Sequence, residues 1–317
     1  MAEDTQTGPA PVLYVTDLTY ERYDPADLFD LAFLRRSPDH RLVGVCLTAD
    51  AQGDGARVLG ALGVRQRGSG GGAALPHVTG ADGLLEALRA ADEPVNLVVT
   101  GGYAAVRAAR ERERALFREK VARLFVVGGV VNDYSRRGAE GERLPIDPRL
   151  KERNPERFGP EGDPRAADPV EGAALGALLT SGEAVIWLPR DICLWRYAAP
   201  QILSDGGEVC EFLIRELFYA RLQALGPGAD RYDAADAPVL LSALPALLLA
   251  VRPDPSLWLR LFRAVLARAE VDAAGSISDF VLKPENPNLY AVIAIDGRAL
   301  GKLLTARLRD RPLVAEG

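Results

Sequence analysis

Four aspartates, Asp17, Asp24, Asp27 and Asp30, lie close together behind a short apolar, β-branched run, Val12 to Thr16. Carboxylates at this density can hold a hard cation, take a proton from water, or stabilise a growing positive charge. Ca2+ takes about six to eight oxygens from carboxylates, backbone carbonyls and water, whereas Mg2+ accepts fewer protein ligands and keeps more water. Asp27 and Asp30 are three apart at a helix start, so they share a face and also suit the positive end of the helix dipole. A second candidate is Thr100-Gly101-Gly102, which follows another apolar run. Two glycines there either bare the backbone to a ligand or make a tight turn into the next helix. The third is Asp236 in Ala234-Ala235-Asp236-Ala237-Pro238, a natural N-cap for the apolar run behind it.

These residues need elements to carry them. Val12 to Thr16 reads as a buried strand with a carboxylate at its tip. Further strands are expected at Leu42 to Thr48, Val95 to Thr100, Leu124 to Val127, Val185 to Leu188 and Leu289 to Ile295. Helices are expected at Asp27 to Arg36, Gly53 to Gly63, Gly80 to Ala91, Ala104 to Ala122, Pro169 to Ser181 and Gly297 to Leu308, with Gly182 as a C-cap. Arg65 to His77 reads as a Gly-rich surface loop. Arg136 to Asp168, with Pro145, Pro148, Pro155, Pro160 and Pro164, reads as a long irregular segment. Between the fifth and sixth strands the chain reads as mostly helical, with Ala237 to Val251 a buried helix or helix pair. Strands alternating with helices predict an α/β fold: a mostly parallel central sheet flanked by helices, with extra C-terminal helices. In such sheets ligands bind outside the carboxyl ends of the strands. Asp17, Thr100, Gly128 and Arg190-Asp191 all fall at or just past those ends.

Composition narrows the function classes. With 317 residues and 48% hydrophobic content, the chain can bury one large core or two modest ones. A net charge of −6 argues against nucleic acid as a partner. The arginines from Arg107 to Arg118 alternate with Glu111 and Glu113, as on a solvated helix face. The apolar run Ala237 to Val251 is too short for a bilayer and is interrupted by Pro238 and Pro245, so no membrane partner is expected. Met1 to Pro11 lacks the apolar core of a secretory signal; residues 1–11 are expected to be a disordered tail, and 12–317 one domain. Three scattered cysteines, Cys46, Cys193 and Cys210, fit a reducing, cytoplasmic setting. The two histidines, His40 and His77, have no zinc spacing and read as surface residues.

Taken together, the segments resemble the inosine–uridine-preferring nucleoside hydrolase family. Its opening strand and aspartate-rich segment, Asp-Thr-Asp-Pro-Gly-x-Asp-Asp, are similar to Val15-Thr16-Asp17 followed by Asp24-Pro25-Ala26-Asp27-Leu28-Phe29-Asp30. Its Met-Gly-Gly falls on Val127-Gly128-Gly129. Its Asp-Pro-Glu-Ala-Ala helix start resembles Asp168-Pro169-Val170-Glu171-Gly172-Ala173, and its Val-Pro-Leu-Asp resembles Leu188-Pro189-Arg190-Asp191. The resemblance runs from about Val12 to Leu308 and implies a nucleoside hydrolase-like fold and cleavage of an N-glycosidic bond. It implies a Ca2+ held by Asp24, Asp30, the Thr100 carbonyl and Asp236, with Asp24 also the general base for water. Asp17, Asp27, Asn132 and Asp163 would contact substrate, and the family's habit implies a homodimer or homotetramer.

The sequence also departs from that pattern. Six residues, Leu18 to Tyr23, separate Asp17 from Asp24, where the family has one. The family's Glu-Phe-Asn is absent, with Glu161 and Asp163 nearby. The histidine that precedes the last aspartate in many members, their leaving-group acid, is Ala235 here. Tyr20, Tyr23, Tyr134, Tyr232 and Asp233 stand as substitutes. The reading is a divergent metal-dependent N-ribohydrolase acting on a nucleoside or a modified nucleoside or nucleotide. Arg136, Arg137, Arg143, Arg149, Arg153 and Arg157 would meet a phosphate, and Trp187, Trp195 and Tyr197 would stack on a base. The alternatives are an N-glycoside-processing transferase or rearranging enzyme of a biosynthetic pathway, and a non-catalytic nucleoside-binding homologue.

Overall fold

The computed structural model describes residues 10–18, 26–37, 40–48, 59–60, 62, 64–66, 75–129, 135–137, 142–143, 168–193, 195–197, 211–216, 239–241, 243–250, 261–274 and 277–309. In chain order the strands are β1 (Ala10–Thr16), β2 (His40–Leu47), β3 (Val64–Gln66), β4 (Leu75–Thr79), β5 (Val95–Val99), β6 (Val121–Val127), β7 (Ser135–Arg137), β8 (Glu142–Arg143), β9 (Val185–Leu188), β10 (Trp195–Tyr197), β11 (Val239–Leu241), β12 (Phe262–Val271), β13 (Ile277–Leu282) and β14 (Leu289–Ile295). The helices are α1 (Ala26–Arg36), α2 (Gly80–Arg89), α3 (Tyr103–Arg112), α4 (Arg114–Lys120), α5 (Pro169–Leu179), α6 (Arg190–Cys193), α7 (Leu244–Ala250) and α8 (Gly297–Arg309).

Twelve of these strands form one sheet in the order β3-β4-β2-β1-β5-β6-β9-β14-β12-β13-β7-β8. The six strands expected from sequence are its contiguous centre, β2 to β14, and every pair among them is parallel. β10 and β11 make a separate antiparallel ribbon. The chain first builds from β1 towards β2, then returns to the other side of β1 with β5. That reversal opens a crevice at the carboxyl ends of β1 and β5, where ligands of open α/β sheets bind.

Pleating sorts the core. Val12 and Tyr14 of β1 join the cluster containing Leu28, Leu31, Leu247 and Leu304, so one face of the sheet is covered by α1, α7 and α8. Leu13 and Val15 join Leu85, Val106, Phe117 and Leu178, so α2, α3, α4 and α5 cover the other. Burial on both faces is why the central strands are continuous apolar runs. α7 is held at its last turn by two sheet side chains. The His40 ring meets the Leu247 carbonyl through Nε2 at 2.6 Å, and Asn96 Nδ2 donates to the Ala250 carbonyl at 2.7 Å.

The structure corrects several expectations. The stretch Ala104 to Ala122 is two helices, α3 and α4, broken at Glu113, and β6 already begins at Val121. The segment before β14, expected to be mostly helical, contributes β12 and β13. β12 carries Arg263 and Arg268 among apolar residues, a spacing that imitates a helix; antiparallel pairing with β14 and β13 decides otherwise. Among the described residues of Ala237 to Val251, Val239–Leu241 pair with β10 as a strand and Leu244–Ala250 is helical. The two ends of the stretch Arg65 to His77, expected to be loop, belong to strands β3 and β4. His40 and His77 are buried, not surface residues. Among the described residues no helix is long and apolar enough to cross a membrane.

Candidate functional site

The carboxyl ends of β1 and β5 are stitched together beyond the last ladder pair. The Thr100 amide donates to the Val15 carbonyl at 2.9 Å, and on the other flank the Thr48 amide donates to the Thr16 carbonyl at 3.0 Å. Thr16 then turns the chain: its Oγ1 accepts from the Leu18 amide at 3.0 Å and donates to Asp27 Oδ2. Thr100 Oγ1 lies 3.1 Å from the Val15 carbonyl and 3.4 Å from the same Asp27 oxygen. The Thr16 hydroxyl therefore holds a carboxylate in the first turn of α1, and the Thr100 hydroxyl, whose one proton is shared between the Val15 carbonyl and Asp27, flanks the same oxygen. Asp27 is 4% exposed and Thr100 2%.

Asp30, one turn further along α1, is 1% exposed, and its Oδ2 accepts from the Tyr14 hydroxyl at 3.3 Å. Asp17, 8% exposed, lies against the turn after β5: a Cβ on Gly101 would sit 2.1 Å from Asp17 Oδ1. Gly101 is thus required because a carboxylate occupies the space a side chain would need. Gly102 is required twice, by a φ of +65° and by the Thr48 side chain, 2.2 Å from any added Cβ.

The next strand ends complete the rim. The Tyr103 hydroxyl donates to the Val127 carbonyl at 2.6 Å, Trp187 Nε1 to the Gly128 carbonyl at 2.8 Å, and the Arg190 amide to the Gly129 carbonyl at 2.8 Å. Trp187 is fully buried and stacks on Phe280 at 4.0 Å, so it anchors this rim and is not available to a base.

Glu171, in the first turn of α5, was no site candidate from sequence. Following the N-cap Asp168 by three, it has the spacing of a local capping box. Asp168 does cap α5, accepting from the Val170 and Glu171 amides at 2.7 and 3.3 Å. Glu171, however, reaches across to α3, where its Oε2 accepts from the Ala104 amide at 3.4 Å. Burial raises its pKa above the usual carboxylate value; bonds from the Ala104 and Tyr103 amides oppose this, and the charges of Asp17 and Asp168 add to it.

Of the residues expected at the site, Asp17, Asp27 and Thr100 gather at this crevice, with Asp30 beneath α1. Asp24, Asn132, Asp163 and Asp236 lie outside the described residues. The gathered donors are all oxygen, the chemistry a hard cation takes. Among the described residues, no group of three His, Cys, Asp or Glu side chains is placed to hold a metal ion. Arg136, Arg137 and Arg143 are remote: β7 stands seven strand positions from β1, about 30 Å at ~4.8 Å per step. Arg149, Arg153 and Arg157 lie outside the described residues. Two cavities of about 250 Å3 open at the opposite, amino ends of the strands, one beside Pro11, Arg41 and Val95, the other beside Arg123, Val185 and Leu289; none of the expected site residues lines either.

No family model and no curated protein matches the sequence. Solved structures do match the fold. An Inosine-Guanosine Nucleoside Hydrolase aligns with a TM-score of 0.62 at 12% identity, over 96% of this chain and 100% of that one. The Purine-Preferring Ribonucleoside Hydrolase from Gardnerella vaginalis aligns with a TM-score of 0.59 at 11% identity, over 94% and 98%. The type III effector protein XopQ, in complex with adenosine diphosphate ribose, aligns with a TM-score of 0.58 at 20% identity, over 96% and 94%. Likeness over nearly the full length of these proteins, at a switch point lined by buried carboxylates, shows that this chain has the nucleoside hydrolase fold.

Proposed function

We propose that the protein is a metal-dependent N-ribohydrolase, cleaving the N-glycosidic bond of a nucleoside or of a modified nucleoside or nucleotide in the cytoplasm as a homo-oligomer. The observation that carries this reading is the hold of Thr16, flanked by Thr100, on Asp27 beside Asp17, at the switch point of a nucleoside hydrolase fold.

In this reading Asp24 takes the proton from the attacking water. The C–O bond forms at the anomeric carbon while the C–N bond breaks, and its electron pair leaves with the base, which gains a proton. Asp17 and Asp27 bear negative charge beside a sugar that becomes oxocarbenium-like, and fixed carboxylates stabilise such a charge without reorganising. The hydrogen bond from Thr16, with Thr100 beside the same oxygen, keeps Asp27 from turning away. Asn132 and Asp163 contact the substrate. Asp24, Asp30, the Thr100 carbonyl and Asp236 would hold a divalent cation such as Ca2+, which when bound would supply a Lewis acid that eases deprotonation of water.

The test is base release from a panel of nucleosides, nucleotides and ADP-ribose. Asp24→Ala is expected to lower the rate by at least about 100-fold with the melting temperature retained; unchanged rates remove Asp24 from the base role. A second reading, binding of a nucleoside diphosphate sugar without cleavage, is favoured by the likeness to XopQ bound to adenosine diphosphate ribose. Calorimetric binding of ADP-ribose with no turnover of any member of the panel selects it.

A further inference from the structure

Helix α3 starts from a residue that cannot cap it. Gly102 occupies the N-cap position in a left-handed conformation, and the Thr48 side chain excludes any substituent there. Ser, Thr, Asp or Asn would ordinarily supply the oxygen for the amides of the first turn. At this position sterics forbid all four. The oxygen comes instead from another helix: Glu171 of α5 accepts from the Ala104 amide, the second residue of α3, and its carboxylate also faces the Tyr103 amide. The turn so held, Gly101 to Ala104, is the surface against which the Asp17 carboxylate lies.

We propose that Glu171 is a positioning residue for Asp17: by capping α3 from the neighbouring helix it fixes the Gly101–Gly102 turn, and its charge acts on the Asp17 carboxylate across that turn. The charged groups facing Glu171 are Asp17 at the tip of β1 and Asp168 at the start of α5; α3 presents backbone amides. The placement explains why a carboxylate is kept here despite the cost of burying it next to like charge. Two amides offset part of that cost, and the turn they belong to cannot be capped from within. The proposal rests on the reading of Asp17 as a substrate contact, but its first test does not need turnover.

Glu171→Gln keeps the acceptor oxygen and removes the charge. A carboxyl group whose folded pKa is raised favours the fold fully below its unfolded value of 4.5, and that contribution is lost as pH rises through the folded value. Glu171→Gln stays neutral throughout. Its melting temperature, measured on the full chain, is therefore expected to gain on the wild type between pH 4.5 and 7, by about 2 °C or more. Glu171→Ala loses the cap as well and is expected to melt lower than Glu171→Gln at every pH. In a cycle of Asp17→Asn, Glu171→Gln and the double variant, the shifts at pH 7 are expected to be non-additive, because each single change relieves the same repulsion. A pH-independent Glu171→Gln difference, or additive shifts in the cycle, overturns the proposal. If base release is detectable, Glu171→Ala is expected to lower kcat about tenfold or more, Glu171→Gln to restore most of it, and the acid limb of the Glu171→Gln rate profile to move to lower pH. Absence of turnover in the wild type, with the melting results as expected, leaves Glu171 placed and removes the hydrolase reading alone.

Discussion

At the scale of single residues, the site is organised by hydroxyl groups more than by the carboxylates themselves. Asp27 is nearly fully buried, and both hydroxyl bonds recorded for it arrive at one oxygen, Oδ2, from Thr16 and Thr100. Hydrogen bonds to a charged partner contribute about 1.5–3 kcal/mol, roughly twice a neutral pair. Thr16→Val keeps the β-branched shape and removes one of these donors. It is expected to cost about 1–3 kcal/mol, measured by urea denaturation, with Thr16→Ser restoring most of the loss. An unchanged midpoint would mean that Thr16 does not anchor Asp27. The aspartates were conspicuous in the sequence because of their density. Thr100 was singled out by the glycines behind it, but Thr16 was not, because nothing in a strand ending Val15-Thr16 announces which helix its hydroxyl will meet. Glu171 stood in the sequence only as part of a helix start; its partner, the Ala104 amide, lies 67 positions away on another helix.

At the scale of elements, the turn between β5 and α3 carries the tightest constraint. Gly101 has a carboxylate in the place of a side chain, and Gly102 combines a positive φ with a neighbour at 2.2 Å. Gly102→Ala is expected to destabilise the protein by about 1–3 kcal/mol, since the left-handed conformation and the contact with Thr48 both penalise a Cβ. Thermal denaturation checks this; a loss below about 0.5 kcal/mol would mean the turn can shift away from Thr48. The same elements explain where sequence reading succeeded. Strands β1, β2, β5, β6 and β9 are largely apolar on both faces because helices cover both, so they are visible as continuous runs, whereas β14 is visible by its alternation. β12 and β13 lie towards the edge. Leu266 and Val271 remain exposed there, and charged residues interrupt the run, so periodicity alone imitated a helix.

At the scale of the whole molecule, strand order determines which residues can meet. It joins the tips of β1 and β5 and sends β7, with Arg136 and Arg137, to the far edge. The proposed metal site is tested at this scale, because a ligand that binds only the folded state raises its stability by mass action. Elemental analysis is expected to find about one Ca2+ per chain, and millimolar Ca2+ to raise the melting temperature by several degrees. Asp30→Asn is expected to abolish the rise. No metal and no thermal shift would assign the carboxylates to substrate alone. By itself the sequence determined that this is an α/β chain, which strands form the centre of its sheet, and that carboxylates follow the first of them. Hydrophobic burial and chain connectivity are local enough to be read directly. Only the tertiary structure decided that Asp17, Asp27 and Thr100 share one crevice, that the arginines do not, and that Glu171 caps a helix other than its own. Those are contacts between residues far apart in sequence, fixed by strand order and by steric exclusion at two glycines, and no local pattern encodes either.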